Sequence, residues 1–138
     1  MPAANTPAQN TLEKWHKIIA SKSVAALPDI IHPDAVFRSP MAHTPYPGRD
    51  ILVFALSNVI EIFEDFKYHR SFFSEDGDSA VLEFSAHIGS KQLKGVDIIR
   101  FDAEGLITEF EVMIRPASAL MALGEQMAPR MMSLLNKA

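Results

Sequence analysis

The sequence predicts an α+β fold, a curved antiparallel sheet wrapped on a long helix into a cone, with helices at the N-terminal side and one at the C-terminal end. Three observations predict it. Apolar residues recur at helical spacing over most of the first half of the chain. Over the second half they alternate with polar residues, in short runs separated by turn-forming residues. A last apolar stripe then returns to helical spacing. Helices set apart from consecutive strands in this way pack on one face of a sheet. The 138 residues fit one domain.

Residues 1–10 are polar and proline-containing and read as a flexible tail rather than a secretion signal, ahead of a single domain over 11–138. Thr11 is the candidate N-cap of a first helix, whose apolar stripe holds Leu12, Trp15, Ile18 and Ile19. Trp15 and His16 are about 100° apart on that helix, so one is expected toward the interior and the other toward solvent. A short helical piece follows over 23–31 and ends at His32-Pro33, because the residue before a proline avoids the helical region. A strand is predicted over 35–39, then a loop with Pro40, Pro45, Pro47 and Gly48. The longest helix is predicted over 49–63, with a broad stripe that includes Ile51, Leu52, Phe54, Ala55, Val59 and Ile62.

Strands are predicted over 66–73, 80–88, 93–101 and 106–115. Glu75-Asp76-Gly77-Asp78, Gly89-Ser90 and Asp102-Ala103-Glu104-Gly105 mark the turns between them. Pro116 stops the sheet. Leu120, Leu123, Met127, Met131 and Leu134 form one stripe of a closing helix, kinked near Pro129. A sheet curled on a helix leaves an interior, and ligands occupy such concave spaces.

Hydrophobic residues make up 48% and charged residues 22%, a globular composition. The net charge of −4 and the lack of any Lys/Arg cluster argue against nucleic acid or an anionic membrane as partner. The absence of cysteine excludes disulfides, thiolate metal sites and thiol nucleophiles. No apolar run approaches the roughly 20 residues of a membrane-spanning helix. His32, His43, His69 and His87 are scattered singly, so no metal site is expected. These features predict a soluble cytoplasmic protein without metal or organic cofactor.

Four stretches carry a family resemblance in this order: Asp34-Ala-Val-Phe-Arg-Ser-Pro40, Gly48-Arg49-Asp50, Gly95-Val-Asp-Ile-Ile-Arg-Phe101 and Asp102-Ala-Glu-Gly-Leu-Ile107. With them the chain resembles the nuclear-transport-factor-2-like superfamily, and within it the SnoaL-like branch of polyketide cyclases and ketosteroid isomerase relatives. In ketosteroid isomerases one strand aspartate is the base, while a tyrosine and a protonated aspartate hold the enolate. By resemblance Asp97 matches the protonated aspartate, Ser39 stands at the base position, and Trp15 stands on or near the tyrosine position. In SnoaL-like aldol cyclases an aspartate in a Val-Asp-Ile setting is the acid/base and a histidine on the preceding strand assists it; Asp97 and His87 match these. Limonene epoxide hydrolases use an Arg-x-Asp pair there, and Gly95 occupies the arginine slot.

The residues themselves point the same way at Asp97. Flanked by Val96, Ile98 and Ile99, its carboxyl is costly to bury unless it finds a partner or stays neutral. Asp97, His87 and Ser39 are therefore the candidate catalytic residues. Trp15, Phe37, His43, Phe54, Ile99, Phe110, Val112 and Ile114 are the candidate ligand-binding residues. A single bulge would reverse the faces of Glu83, Ser85 and His87. Met121, Met127, Met131 and Met132 are a candidate lid or simply core. The expected partner is a small hydrophobic carbonyl compound, isomerised or cyclised by proton transfer, or bound without turnover. Family analogy puts Glu109, Glu111 and Arg115 on the outer face of the sheet, with Arg100 able to pair with Glu111, and that face is expected to join two copies as a homodimer.

Overall fold

The computed structural model describes residues 5–135. Helix α1 (Pro7–Ser21) begins before the predicted cap. Thr6 Oγ1 accepts from the Gln9 amide at 3.2 Å, Gln9 Oε1 accepts from the Thr6 amide at 3.0 Å, and Pro7 takes the first helical position. That reciprocal cap satisfies amides that would otherwise be orphaned. Thr11 is instead buried within α1, where its hydroxyl donates to the Gly105 carbonyl. Much of the segment expected as a tail is thus helix, and residues 1–4 lie outside the described residues.

A 3-10 helix (Val24–Ile30) takes the place of the predicted second helix, with Pro28 inside it. Strand β1 (Ile31–Arg38) continues through His32-Pro33, with its register on β6 shifting between Ile31 and Val36, and Ser39 falls beyond its end. The two-residue strand β2 (Tyr46–Pro47) lies in the proline-rich loop, followed by α2 (Arg49–Ile62). Strands β3 (Glu64–Phe73), β4 (Ser79–Ile88), β5 (Lys91–Phe101) and β6 (Ile107–Arg115) follow the predicted meander, and α3 (Ala117–Leu135) closes the chain with Pro129 inside it. No helix among the described residues is long and apolar enough to cross a membrane.

The six strands form one curved, unclosed sheet in the order β2-β1-β6-β5-β4-β3. The meander is antiparallel throughout, whereas β1 joins β6 in parallel, so the sheet is not purely antiparallel. Register shifts in the β1·β6, β3·β4 and β5·β6 pairings mark where strands bend. The β4·β5 ladder has none, running from Ser79 opposite Arg100 to Ile88 opposite Lys91. Burial along β4 alternates strictly, with Ala80, Leu82, Phe84, Ala86 and Ile88 inside. This settles which residues share the concave face: Leu82 lies opposite Asp97, and Asp97 opposite Val112.

Two apolar clusters fill that face. One gathers Leu27, Leu52, Ile99 and Phe110 under α1 and α2; the other gathers Phe63, Phe84, Leu93 and Leu123 under α3. On the opposite face, Glu109 takes Arg38 as its ion-pair partner, with Arg100 at 3.8 Å, while Glu111 lies opposite Ile98. The expected Arg100–Glu111 pair is therefore replaced by Arg100–Glu109, because the ladder is one two-residue step away from the predicted alignment.

The arginine slot is glycine for a steric reason. A Cβ on Gly95 would lie 2.5 Å from both the Met113 carbonyl oxygen and the Phe84 ring. Phe84 is fully buried and already fills this space. Gly95→Ala should overpack the sheet and lower stability by about 1–3 kcal/mol, measured by urea denaturation.

Candidate active site

Between the two clusters lies a cavity of about 490 Å³, lined by members of both. Helix α1 contributes Trp15, His16, Ile19 and Ala20 to its wall. These positions are one turn apart in pairs and form one side of the helix. Trp15 and His16 therefore both face the cavity, against the expectation that the pair would divide between cavity and solvent. Helix α2 adds Ala55, Leu56, Val59 and Ile60, and α3 adds Leu123. The sheet supplies Phe37, Phe66, Tyr68, Asp97, Phe110 and Val112. Lys22 and Asp65 stand at the rim, both exposed and both with left-handed backbone, at φ 56° and 53°.

The polar centre is a short relay through three elements. Trp15 Nε1 donates to the Tyr68 hydroxyl oxygen at 2.8 Å, and the Tyr68 hydroxyl donates to Asp97 Oδ2 at 2.6 Å. Trp15 is locked in place by an edge contact with Phe110, at 5.3 Å between centroids. Tyr68 is gripped edge-on by Phe66 at 4.8 Å and His16 at 5.2 Å. Tyr68 lies opposite Phe84, and Phe84 opposite Gly95, so Tyr68 reaches Asp97 diagonally across β4.

Asp97 is 5% exposed. Burial pushes its carboxyl up to about 7, and the Tyr68 hydrogen bond, which favours the ionised form, holds it from going higher. Tyr68 is held well above the ordinary phenol value, first by burial and then by the adjacent Asp97 carboxyl. His16 is lowered by burial. The cavity thus contains an acid that keeps its proton near neutrality and an imidazole that resists gaining one. Opposed shifts of this kind place one group able to give a proton and one able to take it in the same cavity. Among the described residues no three His, Asp or Glu side chains gather to share a metal ion.

Five of the predicted residues meet here: Asp97, Trp15, Phe37, Phe110 and Val112. His87 does not. It has the outward parity of β4, where Nε2 lies 2.7 Å from Asp65 Oδ2 and Nδ1 lies 2.9 Å from the Gly89 carbonyl. Two acceptors on one ring favour the doubly protonated imidazolium, and its pKa is raised, chiefly by the Asp65 hydrogen bond. Ser39 is also outside the cavity wall, its hydroxyl oxygen accepting from the Met41 amide at 3.0 Å where the chain leaves β1. His43 is exposed in the loop. Phe54 is half-buried on α2 without lining the cavity, Ile99 is sealed in the core, and Ile114 packs in the cluster beneath α3. Of the methionines, Met121 and Met132 point outward and Met127 packs against core, so Leu123 is the α3 residue that lines the cavity.

Tyr68 is the residue that the sequence analysis missed. Its signal was present in Phe66-Lys67-Tyr68, whose alternation puts both aromatics on one face.

The fold is nuclear-transport-factor-2-like: a protein of that class from Mesorhizobium loti shares it at a TM-score of 0.71 and 18% identity, over 84% of this chain and 98% of that one. The chain belongs to the SnoaL-like domain family, whose model matches residues 12–110. A steroid delta-isomerase from Pseudomonas aeruginosa is 51% identical, with a TM-score of 0.91 over 99% of each chain. An uncharacterized cystatin-like-fold protein from Silicibacter pomeroyi is 30% identical, with a TM-score of 0.82 over 88% of this chain and 85% of that one. No curated protein matches.

The shifted carboxyl makes stability depend on pH with a definite sign. Between its ordinary value of 3.8 and about 7, folded Asp97 holds a proton that the unfolded chain has released. Stability should therefore fall as pH rises through that window, by up to about 1.4 kcal/mol per pH unit, and level off above it. His87 acts in a higher window: its contribution is complete below its ordinary 6.5 and is lost as pH rises through the raised folded value. Urea denaturation of the wild type and Asp97→Asn separates the two, since only the lower slope should vanish in the variant. Tyr68→Phe should raise the Asp97 carboxyl further, read by NMR titration of its side-chain carbon.

Proposed function

We propose that this protein binds a small hydrophobic carbonyl compound in the cavity and isomerises it by moving a proton between carbons near the carbonyl group. The observation that carries this reading is the Asp97 carboxyl, buried in an apolar cavity with Oδ2 occupied by the Tyr68 hydroxyl. Protonated, it can offer its O–H to a ligand carbonyl oxygen, and the Trp15–Tyr68 relay braces the negative charge that gathers there as a carbon-bound proton leaves. A water-poor wall strengthens these interactions. The volume suits a ligand of a few fused rings. Likeness to a steroid delta-isomerase supports a β,γ-unsaturated ketone as the substrate class.

A 3-oxo-Δ5 steroid is the first probe, with conversion followed by absorbance of the conjugated enone. Wild type should convert it, and Asp97→Asn should lower kcat by about 100- to 1,000-fold, the usual cost of losing one donor to a developing oxyanion. Binding without conversion by wild type would replace this reading with that of a non-catalytic binding module.

The outer face of the sheet is proposed to join two copies. Half-exposed Met113 lies opposite Val96 beside Glu83, Lys94 and Arg115, and the Arg38–Glu109–Arg100 charges lie further along the same face, a surface of mixed polarity suited to a symmetric contact. Sedimentation equilibrium should give a dimer, and Met113→Glu should shift it toward monomer.

A further inference from the structure

If Asp97 supplies the proton to the carbonyl oxygen, the site needs a separate group to accept the carbon-bound proton. Neither sequence-predicted assistant can do so: His87 is on the opposite face of the sheet, and the Ser39 hydroxyl is turned to the Met41 amide. The titratable side chains that line the cavity are His16 from α1, Lys22 just past its C-terminal end, Asp65 and Tyr68 from β3, and Asp97 from β5; α2 and α3 face it with apolar side chains. Tyr68 is committed to Asp97, and Lys22 and Asp65 are at the exposed rim, where Asp65 already holds His87. His16 remains. Its ring packs edge-on against the ring of the same tyrosine whose hydroxyl holds Asp97. Among the described residues neither of its nitrogens has a hydrogen-bond partner in the protein, and burial alone perturbs it.

Resting on the reading above, we propose that His16 is the general base of this site, removing a proton from the carbon next to the ligand carbonyl and returning it to the γ-carbon. In a β,γ-unsaturated ketone the proton leaves the α-carbon and arrives at the γ-carbon perpendicular to the plane in which the carbonyl oxygen accepts its hydrogen bond, so acid and base approach the ligand from different directions. Asp97 on the sheet and His16 on α1 do so. The steps balance. The α C–H bond breaks toward an imidazole nitrogen, and its electron pair forms the new C=C of a dienol while the carbonyl oxygen takes the Asp97 proton. The carbonyl then re-forms, the oxygen returns that proton to Asp97, and the imidazolium delivers its own to the γ-carbon. No oxidant, reductant or metal is needed.

The test uses the same 3-oxo-Δ5 steroid. His16→Gln should lower kcat by about 100- to 10,000-fold with KM little changed, as for loss of a general base. In wild type, kcat/KM should rise with pH as His16 loses its proton, below its ordinary 6.5, and fall as Asp97 ionises near 7. The rising limb should be missing in His16→Gln, and added imidazole should restore part of the turnover of His16→Ala. Near-UV circular dichroism identical to wild type checks that the variants fold. If His16→Gln keeps both kcat and the rising limb while Asp97→Asn is inactive, His16 is not the base and the isomerase reading stands. If wild type does not convert the probe, both fall together.

Discussion

The structure depends on how one carboxyl group can be kept away from water. An unpaired carboxylate inside an apolar cone would cost several kcal/mol, so Asp97 survives there only by staying largely neutral and by receiving the Tyr68 hydroxyl. Tyr68 is in turn a buried polar group, and its oxygen accepts the Trp15 N–H. Each partner comes from a different element, α1, β3 or β5. Satisfying these three atoms therefore fixes how far the first helix stands from the sheet. The apolar packing closes around that spacing from both sides, as two clusters rather than one, and the cavity is the volume left between them.

What was legible in the sequence follows from which constraints are local. The meander was readable because alternation and turn residues are written within each strand, and Glu75–Asp78 or Asp102–Gly105 leave little choice of path. Asp97 was readable because a charged residue amid Val96, Ile98 and Ile99 needs an explanation wherever the strand lies. Partners set by register were harder. Whether His87 faced inward depended on a bulge, and the unbroken β4·β5 ladder contains none. Tyr68 reaches Asp97 across an intervening strand, a relation that no spacing along the chain expresses. On α2 the apolar stripe was broad enough to include Phe54 with residues that line the cavity; periodicity fixes a side of a helix more loosely than it fixes a face of a strand.

The same distinction bears on how far a family resemblance transfers. The Val-Asp-Ile stretch lies on a central strand whose two neighbours fix its register, so the Asp97 match carries over into three dimensions. Ser39 stands where β1 has already ended, and there a slot in the sequence is not a position on the cavity wall. One matched position can thus reach the cavity while another does not, because the two belong to segments held with different rigidity. Asp97 is set by hydrogen-bond ladders on both sides, whereas Ser39 depends on a strand end and the proline-rich loop that follows.

Helix α1 offers what that strand end does not. It is capped at Thr6, tied to the turn before β6 through Thr11, and pressed onto the sheet by Trp15 against Phe110. His16, one position beyond Trp15 on the same helix, lines the cavity and is half-buried where Trp15 is sealed. The relay that satisfies Asp97 also sets the place of His16, since both residues rest on Tyr68, one at its hydroxyl and one at its ring. Shortening Tyr68 would disturb the two together, whereas removing only its hydroxyl would release Asp97 and leave the imidazole supported. The carboxyl and the imidazole thus differ in chemistry but share one mechanical support.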